Sequence, residues 1–145
     1  MFEVTQRGDF EEPPGEVFDF VVDMRSERGW HPLLKWVEAK PDGPVDAGTV
    51  FEADYKRLGR TRAEVREYDR PRDARFDVGS KAADMHMTFH FEPRAGGGTA
   101  LSFTALVEPK GVLKLLGPLG RRMVEREMAK RPQQFRDALA QRQPS

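Results

Sequence analysis

A chain of 145 residues with 24 basic and 24 acidic side chains, 38% hydrophobic residues and no cysteine fits one domain, because a chain near this length buries roughly 70% of its unfolded surface. Balanced charge leaves no net field to favour nucleic acid or an acidic membrane, and the missing cysteines remove disulfides, thiolate nucleophiles and cysteine-bound zinc. No apolar run approaches the length of a membrane span and the N-terminus lacks a charged segment followed by an apolar one, so the expectation is a cytoplasmic protein with no nucleic-acid partner and no stable membrane insertion.

Residues 1–11 alternate weakly, with Phe2 and Val4 on one side and Glu3 and Thr5 on the other, as a first strand would. Pro13-Pro14 ends it, and Pro14 can open a helix to about Met24, since proline at the first helical position loses only an N–H that has no partner there. Val17, Phe18, Val21 and Val22 form its inner stripe. Ser26 is placed to cap a second short helix ending near Trp30, and Pro32 stops it.

From Leu34 to Glu108 the hydrophobic period is two and turn residues arrive at hairpin spacing. Strands are expected at 34–40, 49–58, 60–68, 74–80, 85–93 and 99–108. The last two form the clearest hairpin, across Gly96-Gly97-Gly98. Met85, Met87, Phe89 and Phe91 alternate with His86, Thr88, His90 and Glu92, which gives the sheet one apolar face. His86 and His90 share the opposite face about 13 Å apart, too far to hold one metal ion.

Residues 115–142 are long enough for a helix on the order of 30 Å. Leu116, Leu119, Met123, Val124, Met128, Phe135, Ala138 and Leu139 recur at threes and fours. Glu127, Arg131 and Gln134 interrupt that apolar face, which makes it either partly wet or the wall of a pocket. The spacing of Glu127 and Arg131 suits a helical ion pair. Pro132 offers the alternative that the ladder breaks and the pair rotates to a rim in water. The whole reads as an α+β fold: a curved seven-stranded antiparallel sheet wrapped on a long C-terminal helix, in the order βααββββββα, one domain over 1–145 with 141–145 as a frayed tail.

With Pro13-Pro14-Gly15-Glu16-Val17-Phe18-Asp19-Phe20-Val21-Val22-Asp23, Trp30-His31-Pro32, Gly48-Thr49, Glu64-Val65-Arg66-Glu67-Tyr68-Asp69-Arg70-Pro71 and the closing 115–139 segment in these places, the chain resembles the helix-grip fold of the START-related lipid-transfer and polyketide cyclase/dehydrase superfamily. The resemblance implies a cavity between sheet and last helix. Members bind lipids, sterols, quinones, polyketides or plant hormones there, some catalyse cyclisation or dehydration, and others are co-chaperones. A fold alone does not choose among these.

The expected partner is a small hydrophobic or aromatic molecule, lipid-, polyketide- or quinone-like. Its contacts are expected from Trp30, Phe51, Tyr55, Phe76, Met87, Phe89, Phe103 and Met123, with Glu127 and Arg131 supplying the few polar groups that orient a ligand. If the protein is instead a cyclase- or dehydratase-like enzyme, Tyr55, Glu127, Arg131 and His31 are the candidate acids, bases and electrostatic stabilisers. A co-chaperone would show a filled core and an exposed apolar patch. No P-loop, dinucleotide fingerprint, zinc motif or serine elbow is present, so neither a metal nor a tightly bound cofactor is expected.

Overall fold

The computed structural model describes residues 1–142. Strand β1 (Phe2–Phe10) is followed by helix α1 (Pro14–Val22), a 3-10 helix (Met24–Gly29), and six strands, β2 (Leu34–Lys40), β3 (Val50–Tyr55), β4 (Gly59–Asp69), β5 (Asp73–Ser80), β6 (Ala83–Pro93) and β7 (Thr99–Pro109). Three helical pieces close the chain, α2 (Gly111–Leu115), α3 (Pro118–Ala129) and α4 (Arg131–Arg142). The single sheet runs β1-β7-β6-β5-β4-β3-β2, antiparallel throughout. Strands β2 to β7 are a meander in which each pairs with its sequence neighbour. Because β1 joins β7 at one edge and β2 forms the other, α1 and the 3-10 helix carry the chain from edge to edge.

Alternation decides which face is covered. Phe51, Val65, Phe76, Phe89, Phe91, Leu101, Phe103 and Val107 are buried on the concave side, with Ala53, Ala63, Ala74 and Ala105 among them. The outer side carries polar pairs such as Thr5 with Thr104, Arg75 with Glu67 and His86 with Asp77. His86 and His90 therefore lie on the solvent face, each held by an aspartate across the strand pair. Helix α1 covers the other end of the concavity, where Phe18 packs edge-on against Phe91 and Tyr68.

The C-terminal segment is not one rod over 115–142, and of the two arrangements left open at Pro132 the broken ladder is the one formed. Gly117 takes a positive φ of 55° and separates α2 from α3, a backbone that glycine adopts without steric cost. A turn at Lys130 then separates α3 from α4. Pro132 explains it: proline has no N–H to give the Met128 carbonyl, and its ring crowds the preceding turn. The bend seats Pro132 in the core beside Gly8 of β1, where an added Cβ would stand 2.9 Å from the proline Cβ. Met128, Phe135, Ala138 and Leu139 are buried as the periodicity requires, whereas Leu119 and Met123 are about half exposed. The short helix after α1 is capped by Asp23, which accepts the Arg25 N–H, and Ser26 instead donates to the Phe20 carbonyl. Of the expected frayed tail, 141 and 142 belong to α4, and 143–145 lie outside the described residues.

Candidate functional site

Between the concave sheet face, the 3-10 helix, α3 and α4 lies a cavity of about 350 Å³. Its walls are mostly apolar, with Phe76 and Val78 from β5, Met85, Met87 and Phe89 from β6, Phe103 from β7, and Met123, Val124 and Phe135 from the helices. The volume falls in the range of small-molecule sites, about 300–1,000 Å³.

One end of this cavity is polar, and the 3-10 helix builds it. Asp23 caps the helix and pairs with Arg25, while the Trp30 and His31 N–H groups both donate to the Glu27 carbonyl, at 3.1 and 2.9 Å. Spacings of three and four residues bring Glu27, Trp30 and His31 to one side of the turn. Across from them, Tyr55 at the end of β3 donates its hydroxyl proton to Glu27 Oε1 at 2.8 Å. His31 Nε2 stands 3.9 Å from the same oxygen, and its ring lies 4.9 Å from that of Tyr55. Arg131 completes the group from α4, its guanidinium 5.7 Å from the Trp30 ring centroid and donating to Gln134 Oε1 at 2.7 Å.

The electrostatics follow from removing these groups from water. Burial pushes the Glu27 carboxyl above the ordinary carboxylate range, against the Tyr55 hydrogen bond and the Arg131 charge, which both lower it. Its side chain keeps only 15% of its accessible surface and lines the cavity. The Tyr55 phenol is pushed far above its usual value by burial first and then by the Glu27 charge, so it remains a proton donor at any working pH. His31, with a side chain 6% exposed, is held down to about 4 by burial and by Arg131, with Glu127 pulling the other way. It is neutral near pH 7. Because its Nδ1 accepts the Leu33 N–H at 3.2 Å, geometry assigns the remaining proton to Nε2, the nitrogen nearer Glu27. Trp30 Nε1 is buried without a hydrogen-bond partner, which normally costs free energy.

Trp30, His31, Tyr55, Phe76, Met87, Phe89, Phe103, Met123, Glu127 and Arg131 all border the cavity. Phe51 does not: it is fully buried behind Phe76, on which it stacks at 6.4 Å. The ion pair expected between Glu127 and Arg131 is not formed. Glu127 sits at the rim, more than half exposed, and pairs with Lys130 at 3.0 Å, whereas Arg131, beyond the turn at Lys130, faces inward. The turn before Pro132 thus splits the pair between rim and interior. Glu27 is the residue that sequence reasoning missed. Its signal was the spacing of four from His31 in a segment whose neighbours border the cavity. Among the described residues no cluster of three His, Asp or Glu side chains is arranged to hold a metal ion.

A family model described as polyketide cyclase / dehydrase and lipid transport matches residues 1–140. Of solved structures, TTHA0849 from Thermus thermophilus superimposes with a TM-score of 0.79 at 17% identity, over 99% of this chain and 100% of that one. Ara h 8.0201 matches with a TM-score of 0.69 at 16% identity, over 95% and 94% of the two chains. The di-domain ARO/CYC protein BexL from the BE-7585A biosynthetic pathway matches with a TM-score of 0.70 at 15% identity, over 95% of this chain and 48% of its own. No curated protein matches the sequence. At these identities the structural likeness speaks for the fold.

Proposed function

Because the chain belongs to the polyketide cyclase / dehydrase and lipid transport family, we propose that it binds a small hydrophobic or aromatic molecule in the cavity between sheet and C-terminal helices. The apolar body of the ligand lies among Phe76, Met87, Phe89, Phe103 and Met123, and its polar group meets Glu27, Tyr55, His31 and Arg131. One observation carries this reading: a mostly apolar cavity of about 350 Å³ with Glu27, Tyr55, His31 and Arg131 grouped on one part of its wall. That asymmetry suits an amphipathic molecule, which gains most of its affinity from burial and its orientation from a few polar contacts. A filled core, as expected for a co-chaperone-like domain, is not what such a cavity supports.

The test is fluorescence titration of the purified protein with an uncharged environment-sensitive naphthalene dye, together with solvent extraction and mass analysis of co-purifying molecules. Saturable dye binding that is competed by the extract is the expected result. No saturable binding by any apolar probe would overturn the reading.

Glu27 favours a second reading. A carboxyl raised by burial, held beside a permanent proton donor and a neutral imidazole, has the properties of a general base or acid in an apolar site. In a cyclase- or dehydratase-like reaction, ionised Glu27 takes a proton from a carbon next to a carbonyl, and Arg131 and His31 Nε2–H face the enolate oxygen so formed. The variant Glu27→Gln separates the two readings. A binding protein keeps its dye affinity and has no turnover to lose, whereas an enzyme keeps dye affinity and loses turnover of a polyketide-like substrate by about 10²-fold or more.

A further inference from the structure

The antiparallel meander collects several turns at one end of the sheet, and that end is also the mouth of the cavity. Tyr55 pairs with Gly59, Thr61 with Ser80 and Ala83 with Pro109, so the β3–β4 turn, the β5–β6 turn and the exit of β7 into α2 stand side by side. Leu58, Ala82, Leu113 and Met123, drawn from these turns and from α2 and α3, all border the cavity.

Large apolar side chains are left exposed around this mouth. Leu115 is 87% exposed, Val112 74%, Leu119 56%, Met123 49% and Leu58 48%. Apart from Met1, these are the large hydrophobic residues left exposed among the described residues. Scattered exposed leucines are ordinary, but their collection at a cavity mouth is not.

Charge is collected there too, although the whole chain is neutral. Residues 56–60 carry Lys56, Arg57 and Arg60 with no acid, and residues 110–122 carry Lys110, Lys114, Arg121 and Arg122 with no acid. Four of the neighbouring acids are already held: Asp54 by Lys35, Asp84 by Lys110, Glu125 by Arg121 and Glu127 by Lys130. Glu108, on the outer face beside Asp84, is outside any ion pair among the described residues. Lys56, Arg57, Lys81, Lys114 and Arg122 have no acidic partner within ion-pair distance there.

We propose that this end of the protein docks peripherally on an anionic lipid surface, with Val112, Leu115, Leu119 and Leu58 entering the headgroup boundary and the surrounding lysines and arginines meeting lipid phosphates. Apolar prongs ringed by unpaired cations are what interfacial binding requires, each cation near an anionic surface being worth roughly fivefold in partitioning. An acidic soluble partner would use the cations but would leave leucines this exposed without a role. In the docked pose the cavity opens onto the lipid, so an apolar ligand passes between bilayer and protein without crossing water. The docking stands on the surface alone, whether or not the cavity holds the ligand proposed above.

Co-sedimentation of the full chain with vesicles of phosphatidylcholine, alone and mixed with phosphatidylglycerol, tests this at low and high salt. Binding is expected to be about tenfold or more stronger to the mixed vesicles and to weaken with salt. Leu115→Ser should reduce it by about tenfold, and Lys114→Glu/Arg122→Glu by about 25-fold or more. Neither change touches a residue lining the cavity, so each variant should keep the wild-type urea unfolding midpoint, which separates lost docking from lost folding. No vesicle binding, equal binding to both vesicle types, or vesicle binding unaltered in both variants overturns the proposal. So does full competition by soluble polyglutamate together with an unaltered Leu115→Ser variant, which would assign the patch to an acidic macromolecule.

Discussion

The pH dependence of stability that His31 imposes can be worked from the structure. Burial and the Arg131 charge hold its imidazolium down to about 4, against 6.5 in an exposed chain. Below pH 6.5 the unfolded state therefore takes up a proton that the folded state refuses until about pH 4. The unfolded state binds more protons across that window, so stability falls as the pH falls. Each pH unit is worth about 1.36 kcal/mol, so the loss is about 2 kcal/mol at pH 5 and about 3 kcal/mol once the folded imidazole has titrated, and nothing is lost above pH 6.5. Asparagine at position 31 supplies an oxygen for the Leu33 N–H, the bond that His31 Nδ1 now accepts, but cannot titrate. Urea unfolding of wild type and His31→Asn from pH 7.5 to 4.5 should give curves that converge or cross as acid is added, the wild type losing about 2 kcal/mol more than the variant by pH 5. Other groups, including Glu27 with its opposite sign, are shared by both proteins and largely cancel in the difference. Parallel curves would mean that His31 titrates normally, and the enclosed polar end of the cavity would have to be abandoned.

Glu27 gives the complementary result. Its carboxyl is raised in the fold, so the charged form costs stability at neutral pH and the cost fades as acid protonates it. Glu27→Gln, which keeps an oxygen for the Tyr55 hydroxyl, should raise stability at pH 7 by roughly 0.5–2 kcal/mol, with the gain shrinking toward low pH; Tyr55→Phe removes the donor and should lower it by about 1.5–3 kcal/mol. Urea midpoints check both, and a Glu27→Gln protein less stable than wild type at pH 7 would contradict the assignment. Gly8→Ala places a methyl 2.9 Å from Pro132 Cβ and should cost about 1–3 kcal/mol through overpacking. An unchanged melting temperature would show that the bend between α3 and α4 does not rest on β1.

Much of the architecture was legible because it is periodic. Alternation at 85–93 and 99–108 fixed the hairpin and its inner face, and put His86 and His90 outside it, since a strand's side chains have no other choice. Pro14 opened α1 where the missing N–H is harmless. The seven strands and their antiparallel order follow from turn residues arriving at hairpin intervals. The same local rules left 115–142 open at Pro132 and did not foresee the break at Gly117, because the apolar spacing runs straight through both.

The cavity was legible as an expectation and its chemistry only in part. Phe76, Met87, Phe89 and Phe103 were placed on the inner face by alternation, but Phe51 shares that face and stops short of the cavity. Periodicity assigns a face; it does not say how deep a ring lies behind its neighbour. The sequence by itself determined the covered sheet face, the amphipathic closing helices and the presence of polar residues among apolar ones. Tertiary structure alone decided that Arg131 faces in while Glu127 pairs with Lys130 at the rim, and that Glu27 meets Tyr55 across twenty-eight positions of chain. Those outcomes depend on a bend of the helix and on the docking of a short 3-10 turn against a distant strand. Both are set by packing between segments far apart in sequence, on which no local pattern reports.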